Sequence, residues 1–276
     1  MRLRFAAHLG VRAPDRPLFM ASAGPSAGEQ IAWLAAHGFA GVFDNFLALR
    51  DPADQAAFGA LAADHGLAVG SFALDPVGWA TPLWSREDPA SRTAQADLVA
   101  RAVAIARRTG SRTVTCVTSL ATARPLSLQH AAMAENLARV GDVAAAAGLA
   151  LCVEAVAEAF IPGLLVSRIA EAEAIVAAAA HPAIRIACDV GHIAIAGDDP
   201  VASLRHAPGL VQIADAPGRI DPGAGTVDWP GVLDAIGRSG FAGLIEVELE
   251  AMTPGKAGEA ALLARLAALD RMVGET

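Results

Sequence analysis

Eight short apolar runs recur along this 276-residue chain, each followed by a longer helix-like stretch. They are 3–9, 41–45, 68–74, 113–118, 149–154, 184–189, 210–215 and 244–250. Strands that alternate with helices in this way must pair in parallel, through right-handed crossovers. Glycines close several of the intervening helices, as at His37-Gly38, His65-Gly66 and Thr109-Gly110. Asp228, followed by Pro230, is placed to cap the helix that begins near Trp229. The repeat fits a closed α/β barrel, the (β/α)8 TIM barrel, as a single domain over 1–276. An open doubly wound sheet fits less well, because no GxGxxG follows the first run. The longest irregular segment, 75–90, follows the third run and reads either as a lid over the catalytic face or as an ordinary surface loop, and its Trp79 and Trp84 favour a pocket wall.

Composition narrows the partners. No apolar run reaches the ~18 residues that a bilayer-spanning helix needs, so no membrane partner is expected. The N-terminus MRLRFAAHLG lacks a signal-peptide pattern, so a cytoplasmic chain is expected. Cys116, Cys152 and Cys188 are odd in number and widely spaced, and read as reduced, buried thiols. A net charge of −8 argues against nucleic acid, which requires a basic footprint. The expected partner is a small molecule; homo-oligomer formation is left open.

In a barrel, chemistry sits where the strands end. Four of the last runs carry a polar side chain near that end: Glu154, Asp189, Gln212 and Glu248. They lie about one strand–helix unit apart, so they can converge on one point. Three carboxylates and an amide oxygen form an all-oxygen set, which suits Mg²⁺ or Mn²⁺. Without an ion, such close carboxylates repel and one must take up a proton. His192 shares a loop with Asp189, and Arg219 follows Gln212 as a cation able to hold a substrate oxygen. Alternation along LRFAAHL turns His8 towards the barrel axis. The same alternation in GLIEVELE sets Glu246, Glu248 and Glu250 on the inner face. We expect Glu248 to be the catalyst, Glu250 to reach the solvated rim, and Glu246 to pair with Arg4 as a floor.

These residues resemble the xylose isomerase-like TIM barrels, and within them the hydroxypyruvate isomerase group. The segments that carry the resemblance are CVEA, CDVGH, VQIADAPGR with GTVDWPGVLDAIGRSGF, and GLIEVELE. It implies metal ligation by Glu154, Asp189, Gln212 and Glu248, with Glu154 and Glu248 also acting as acid and base. Substrate binding then falls to His192 and Arg219, with His8, Trp84 and Arg86 completing the pocket; SRED (85–88) is similar to an Arg-Glu pair of that group. The implied reaction is an aldose–ketose type isomerisation of a hydroxy-keto acid or carbohydrate through a metal-stabilised enediolate. Gln212, where the ketose 3-epimerases carry His, favours the hydroxypyruvate isomerase group. Departures are His8 for an Asn, Phe43 at an acidic position with Asp44 one place later, and AVAEAF after Glu154, which leaves the role of Glu158 open. The rival readings are a ketose 3-epimerase, an inosose isomerase or dehydratase, and a non-catalytic sugar-binding barrel. An apurinic-site endonuclease would need a histidine-rich zinc site and a basic groove.

Overall fold

The computed structural model describes residues 1–273. Its strands are β1 (Phe5–His8), β2 (Gly41–Phe43), β3 (Ala68–Val69), β4 (Phe72–Ala73), β5 (Thr113–Cys116), β6 (Ala150–Glu154), β7 (Ile184–Asp189), β8 (Leu210–Ile213) and β9 (Ile245–Val247). Every pairing is parallel, in the order β3-β2-β1-β9-β8-β7-β6-β5-β4. The two end strands, β3 and β4, are separated in the chain only by Gly70 and Ser71. They are the two halves of the third apolar run, so the sheet begins and ends in one segment and curls into a TIM barrel. All eight runs of the sequence form strands, and only the third is broken.

The break has a local cause. Ser71 directs its amide and its hydroxyl to the two carboxylate oxygens of Glu246, each at 2.6 Å. At Gly70 a Cβ would lie 2.4 Å from Glu246 Oε1 and 2.9 Å from the Cβ of Phe43. A continuous strand with a side chain there would fill the space that the carboxylate occupies. This corrects the expected Glu246–Arg4 pair. The register sets Ala6, not Arg4, opposite Glu246. Arg4 lies two residues earlier in the chain, and it is exposed.

Alternation divides the residues sharply. Phe5, Val153, Ile213 and Val247 face outward into the large core between sheet and helices. The inner face holds a small apolar cluster of Cys152, Ala187 and Leu210, backed by Ala150. Register continues that inner face to Asp189, Gln212 and Glu246, which stand side by side on β7, β8 and β9. Helix starts are capped as their sequences imply: Asp51 and Asp88 accept backbone N–H bonds ahead of Pro52 and Pro89, and Asp228 does so ahead of Trp229. The three cysteines are buried and free, and no helix among the described residues is long and apolar enough to cross a membrane.

Gly70→Ala should lower unfolding stability by about 1–3 kcal/mol, the usual cost of forcing extra volume into a packed site. Urea denaturation measures it. A variant as stable as the parent would show that Glu246 does not shape the break.

Candidate active site

A cavity of about 750 Å³ opens at the C-terminal ends of the strands. Glu154 ends β6, and Asp189 ends β7 while capping the helix Val190–Ile195. That cap, in which His192 N donates to Asp189 Oδ1 at 2.9 Å, turns the chain so that His192 lies over the strand ends. Glu248 directly follows β9, and Asn45 stands two residues beyond β2. Glu154, Glu248, Asn45, His192 and Arg219 all line the cavity.

Arg219 arrives on the loop after β8, in a left-handed backbone conformation (φ 58°) that is uncommon for a side chain of this size. The loop is held by Asp215, whose carboxylate accepts from the amides of Ala216, Gly223, Gly225 and Val227 and from Trp229 Nε1, at 2.8–3.1 Å. Burial pushes the Asp215 carboxyl up, but the Trp229 and backbone donors outweigh it and hold the group below its ordinary range. Its guanidinium so placed, Arg219 donates to Asp189 Oδ2 at 2.6 Å and to the Glu248 carbonyl, and lies 3.2 Å from Glu248 Oε2. Asn45 Nδ2 donates to Glu248 Oε1 at 2.8 Å. Phe160 packs edge-on to His192 and lies under the guanidinium.

The carboxylates are unevenly supported. Asp189 keeps a lowered pKa: burial, the largest single influence, raises it, and Arg219 with His192 outweighs that. Burial pushes Glu248 up to about 7 and Glu246 up to about 8. Burial and then the Glu248 charge drive Glu154 well above the usual carboxylate range. Among the described residues Glu154 accepts no hydrogen bond at all, although it is 8% exposed. Both inward histidines are neutral: burial takes His8 down to about 4 and His192, beside Arg219, down to about 3.

These residues suit a divalent cation. Ligand atoms of Glu154, Asp189 and His192 lie within 4.8 Å of one another. Gln212 gives its amide N–H to Glu246 Oε2 at 3.4 Å, which leaves its buried Oε1 with no partner. Glu154, Asp189 and Glu248, when ionised, carry three charges against the one guanidinium, leaving a deficit that a divalent ion would cancel. Oxygen donors of this kind favour Mg²⁺ or Mn²⁺.

The remaining candidates separate. His8 faces the axis, as alternation implies, but its Nε2 is spent on the Leu249 carbonyl at 2.8 Å and its ring packs on Phe43. Trp84 is buried in the core and Arg86 is exposed; neither lines the cavity, while Trp79 does. Only the first part of segment 75–90 therefore lies over the site. The second part is tied down at the carbonyls of Leu83, Trp84 and Arg86 by Gln95 and Asn136. Asp44 is bonded to Arg50 at 2.7 Å, and Glu158 is exposed at a turn it shares with Gly163. Glu250 stands at the rim against Arg12 at 3.3 Å. Asn45, Phe160 and Asp215 escaped the sequence reading. Asn45 was within its reach, because alternation puts it on the same face as Phe43.

The family model for xylose isomerase-like TIM barrels matches residues 31–271. A comparison with curated proteins finds no match. Among solved structures, an AP endonuclease, family 2, from Brucella melitensis is 21% identical with a TM-score of 0.78, covering 95% of this chain and 98% of that one. An L-ribulose 3-epimerase is 21% identical with a TM-score of 0.73, covering 99% and 95%. A D-allulose 3-epimerase from Methylomonas sp. is 19% identical with a TM-score of 0.73, covering 98% and 97%.

The raised carboxyls set a pH dependence. With folded pKa values of about 8 and about 7 against 4.5 unfolded, Glu246 and Glu248 make the folded state bind more protons than the unfolded chain. Chelator-treated protein should therefore be most stable near pH 5 and lose stability as the pH rises to about 8. Glu246→Gln should flatten that decline. Urea midpoints between pH 5 and 8 test this, and a profile that rises with pH would contradict it.

Proposed function

The chain belongs to the xylose isomerase-like TIM barrels, and on that premise we propose that it is a divalent-metal-dependent isomerase or epimerase of a small hydroxy-carbonyl substrate. The observation that carries this reading is the pair Glu154 and Glu248. They reach one cavity from β6 and β9, which are separated in the sheet by β7 and β8. Both have pKa values raised by burial.

Moving a carbonyl between adjacent carbons, or inverting a carbon beside one, requires a proton to be removed α to the carbonyl. That proton is then returned to the neighbouring carbon or to the opposite face. Two carboxyl groups on different strands can divide these tasks, and a pKa near the working pH suits each to both directions. Glu154, free of hydrogen-bond donors, is the stronger base. Glu248 is fixed by Asn45 and Arg219 and serves as its counterpart. Glu154, Asp189, Gln212 and Glu248 would hold the ion, which would supply positive charge to stabilise the substrate oxygens as charge develops. His192 keeps an unpartnered Nδ1 in this site and orients a substrate hydroxyl. Arg219 holds the carboxylates apart and its own charge near the developing oxyanion.

Gln212 supports the hydroxypyruvate isomerase-like reading on the resemblance noted above. The cavity volume of about 750 Å³ supports the second reading, a ketose 3-epimerase, since it has room for a full sugar.

Incubation with Mn²⁺ in deuterated water, against hydroxypyruvate, tetruloses, ketohexoses and inososes, should give exchange at the α C–H and an identifiable product by NMR. Chelation should abolish both. Glu154→Gln and Glu248→Gln should each lose about 10²–10⁴-fold in kcat. Full turnover in either variant would overturn the assignment.

A further inference from the structure

The aromatic residues of this chain are divided in a way that the reaction alone does not require. Of 13 Phe and Trp residues, ten are buried or packed against the core. The other three, Phe46, Trp79 and Phe160, are only partly buried and do not belong to that core, and all three line the catalytic cavity. An aromatic ring left partly in water forgoes part of the stabilisation that burial would give it. Phe160 already lies under the guanidinium groups of Arg12 and Arg219, so Trp79 and Phe46 are the rings left to meet an apolar ring face.

Volume points the same way. A hydroxy-keto acid of three carbons has about seven non-hydrogen atoms; at no more than the ~30 Å³ that a water claims in the liquid, they fill about 200 Å³. A ketohexose, with about twelve, fills about 360 Å³ on the same scale. Both leave much of a cavity of about 750 Å³ empty. The cavity is open at its mouth and has room for a second ring beyond the reacting carbons.

Charge excludes an anionic tail. The cations lining the cavity are Arg12 and Arg219, and both are engaged, with Glu250 and with Asp189 and Glu248. The Arg12 pair is exposed and can open, but Glu250 would then remain beside any anion that Arg12 took up. Asp75 adds a further carboxylate to the cavity lining. A phosphate or carboxylate far from the reacting carbons therefore meets more negative than positive charge.

We propose that the substrate of this site is an uncharged keto sugar carrying a second, ring-sized substituent beyond its reacting carbons, seated against Trp79 and Phe46. This rests on the isomerase or epimerase reading of the same site and narrows its substrate class.

The test uses the Mn²⁺-loaded protein and a series that differs at the sugar's far end. It compares fructose, fructose 6-phosphate and the uncharged keto-disaccharide palatinose, with hydroxypyruvate as the short acid. Turnover and α C–H exchange are read by NMR, and binding by calorimetry on the same samples. Palatinose should exceed fructose by about tenfold or more in kcat/KM, and fructose 6-phosphate and hydroxypyruvate by about a hundredfold or more. Trp79→Ala, and independently Phe46→Ala, should remove most of the advantage through KM. A phosphate or hydroxypyruvate that matches palatinose would overturn the proposal, as would an advantage that survives in both variants. If no compound shows C–H exchange, the reaction assignment fails. Calorimetry then decides the ligand class by itself: preferential binding of palatinose upholds it, and equal or absent binding overturns it.

Discussion

A carboxylate taken out of water needs a counter-charge, a set of donors or a proton, and this barrel buries four of them on its inner face: Glu154, Asp189, Glu246 and Glu248. Each is supported differently, and much of the local structure follows from those differences. Glu246 is held by donors from Ser71 and Gln212, for which the third strand is broken at Gly70. Asp189 has a helix start and a guanidinium. Glu248 has Asn45 and the same guanidinium. Glu154 has no donor among the described residues, and burial together with the Glu248 charge drives it well above the usual carboxylate range.

The layers act in series. A small apolar plug of Cys152, Ala187 and Leu210 closes the interior, and the Glu246–Gln212 pair stands at the level of Asp189. By taking the amide N–H of Gln212, Glu246 leaves the amide oxygen free, which makes Gln212 a donor of an oxygen lone pair. From the other side, Asp215 gathers the loop after β8 and so fixes where Arg219 enters. The site is therefore held by strand register below and by one loop clamp above, which suits chemistry that depends on placement within a fraction of an ångström.

Much of this was legible in the sequence because it depends on short-range rules. Alternation within a strand is local, so the inward direction of Glu246, Glu248 and His8 could be read from GLIEVELE and LRFAAHL. Spacing by one strand–helix unit put Glu154, Asp189 and Gln212 on successive strands. What failed depends on contacts between distant segments. Arg4 and Glu246 are inward neighbours only in a register shifted by two residues, and register is set by pairing between strands. The two tryptophans of segment 75–90 look alike in sequence. Trp84 is drawn into the core because Asn136, on a later helix, holds its carbonyl, whereas Trp79 is left facing the cavity. Asp44 drew attention as an acid, yet it turns to Arg50 and its neighbour Asn45 enters the site.

The proposed seat for one divalent ion rests on this uneven support, with Glu154 unpaired and Gln212 Oε1 free. Titration of chelator-treated protein with Mn²⁺, with free ion followed by electron paramagnetic resonance, tests it without reference to any substrate. One ion per chain should bind tightly, with affinity weakened by about a hundredfold or more in both Glu154→Gln and Asp189→Asn. No binding, or binding unchanged in both variants, would contradict it.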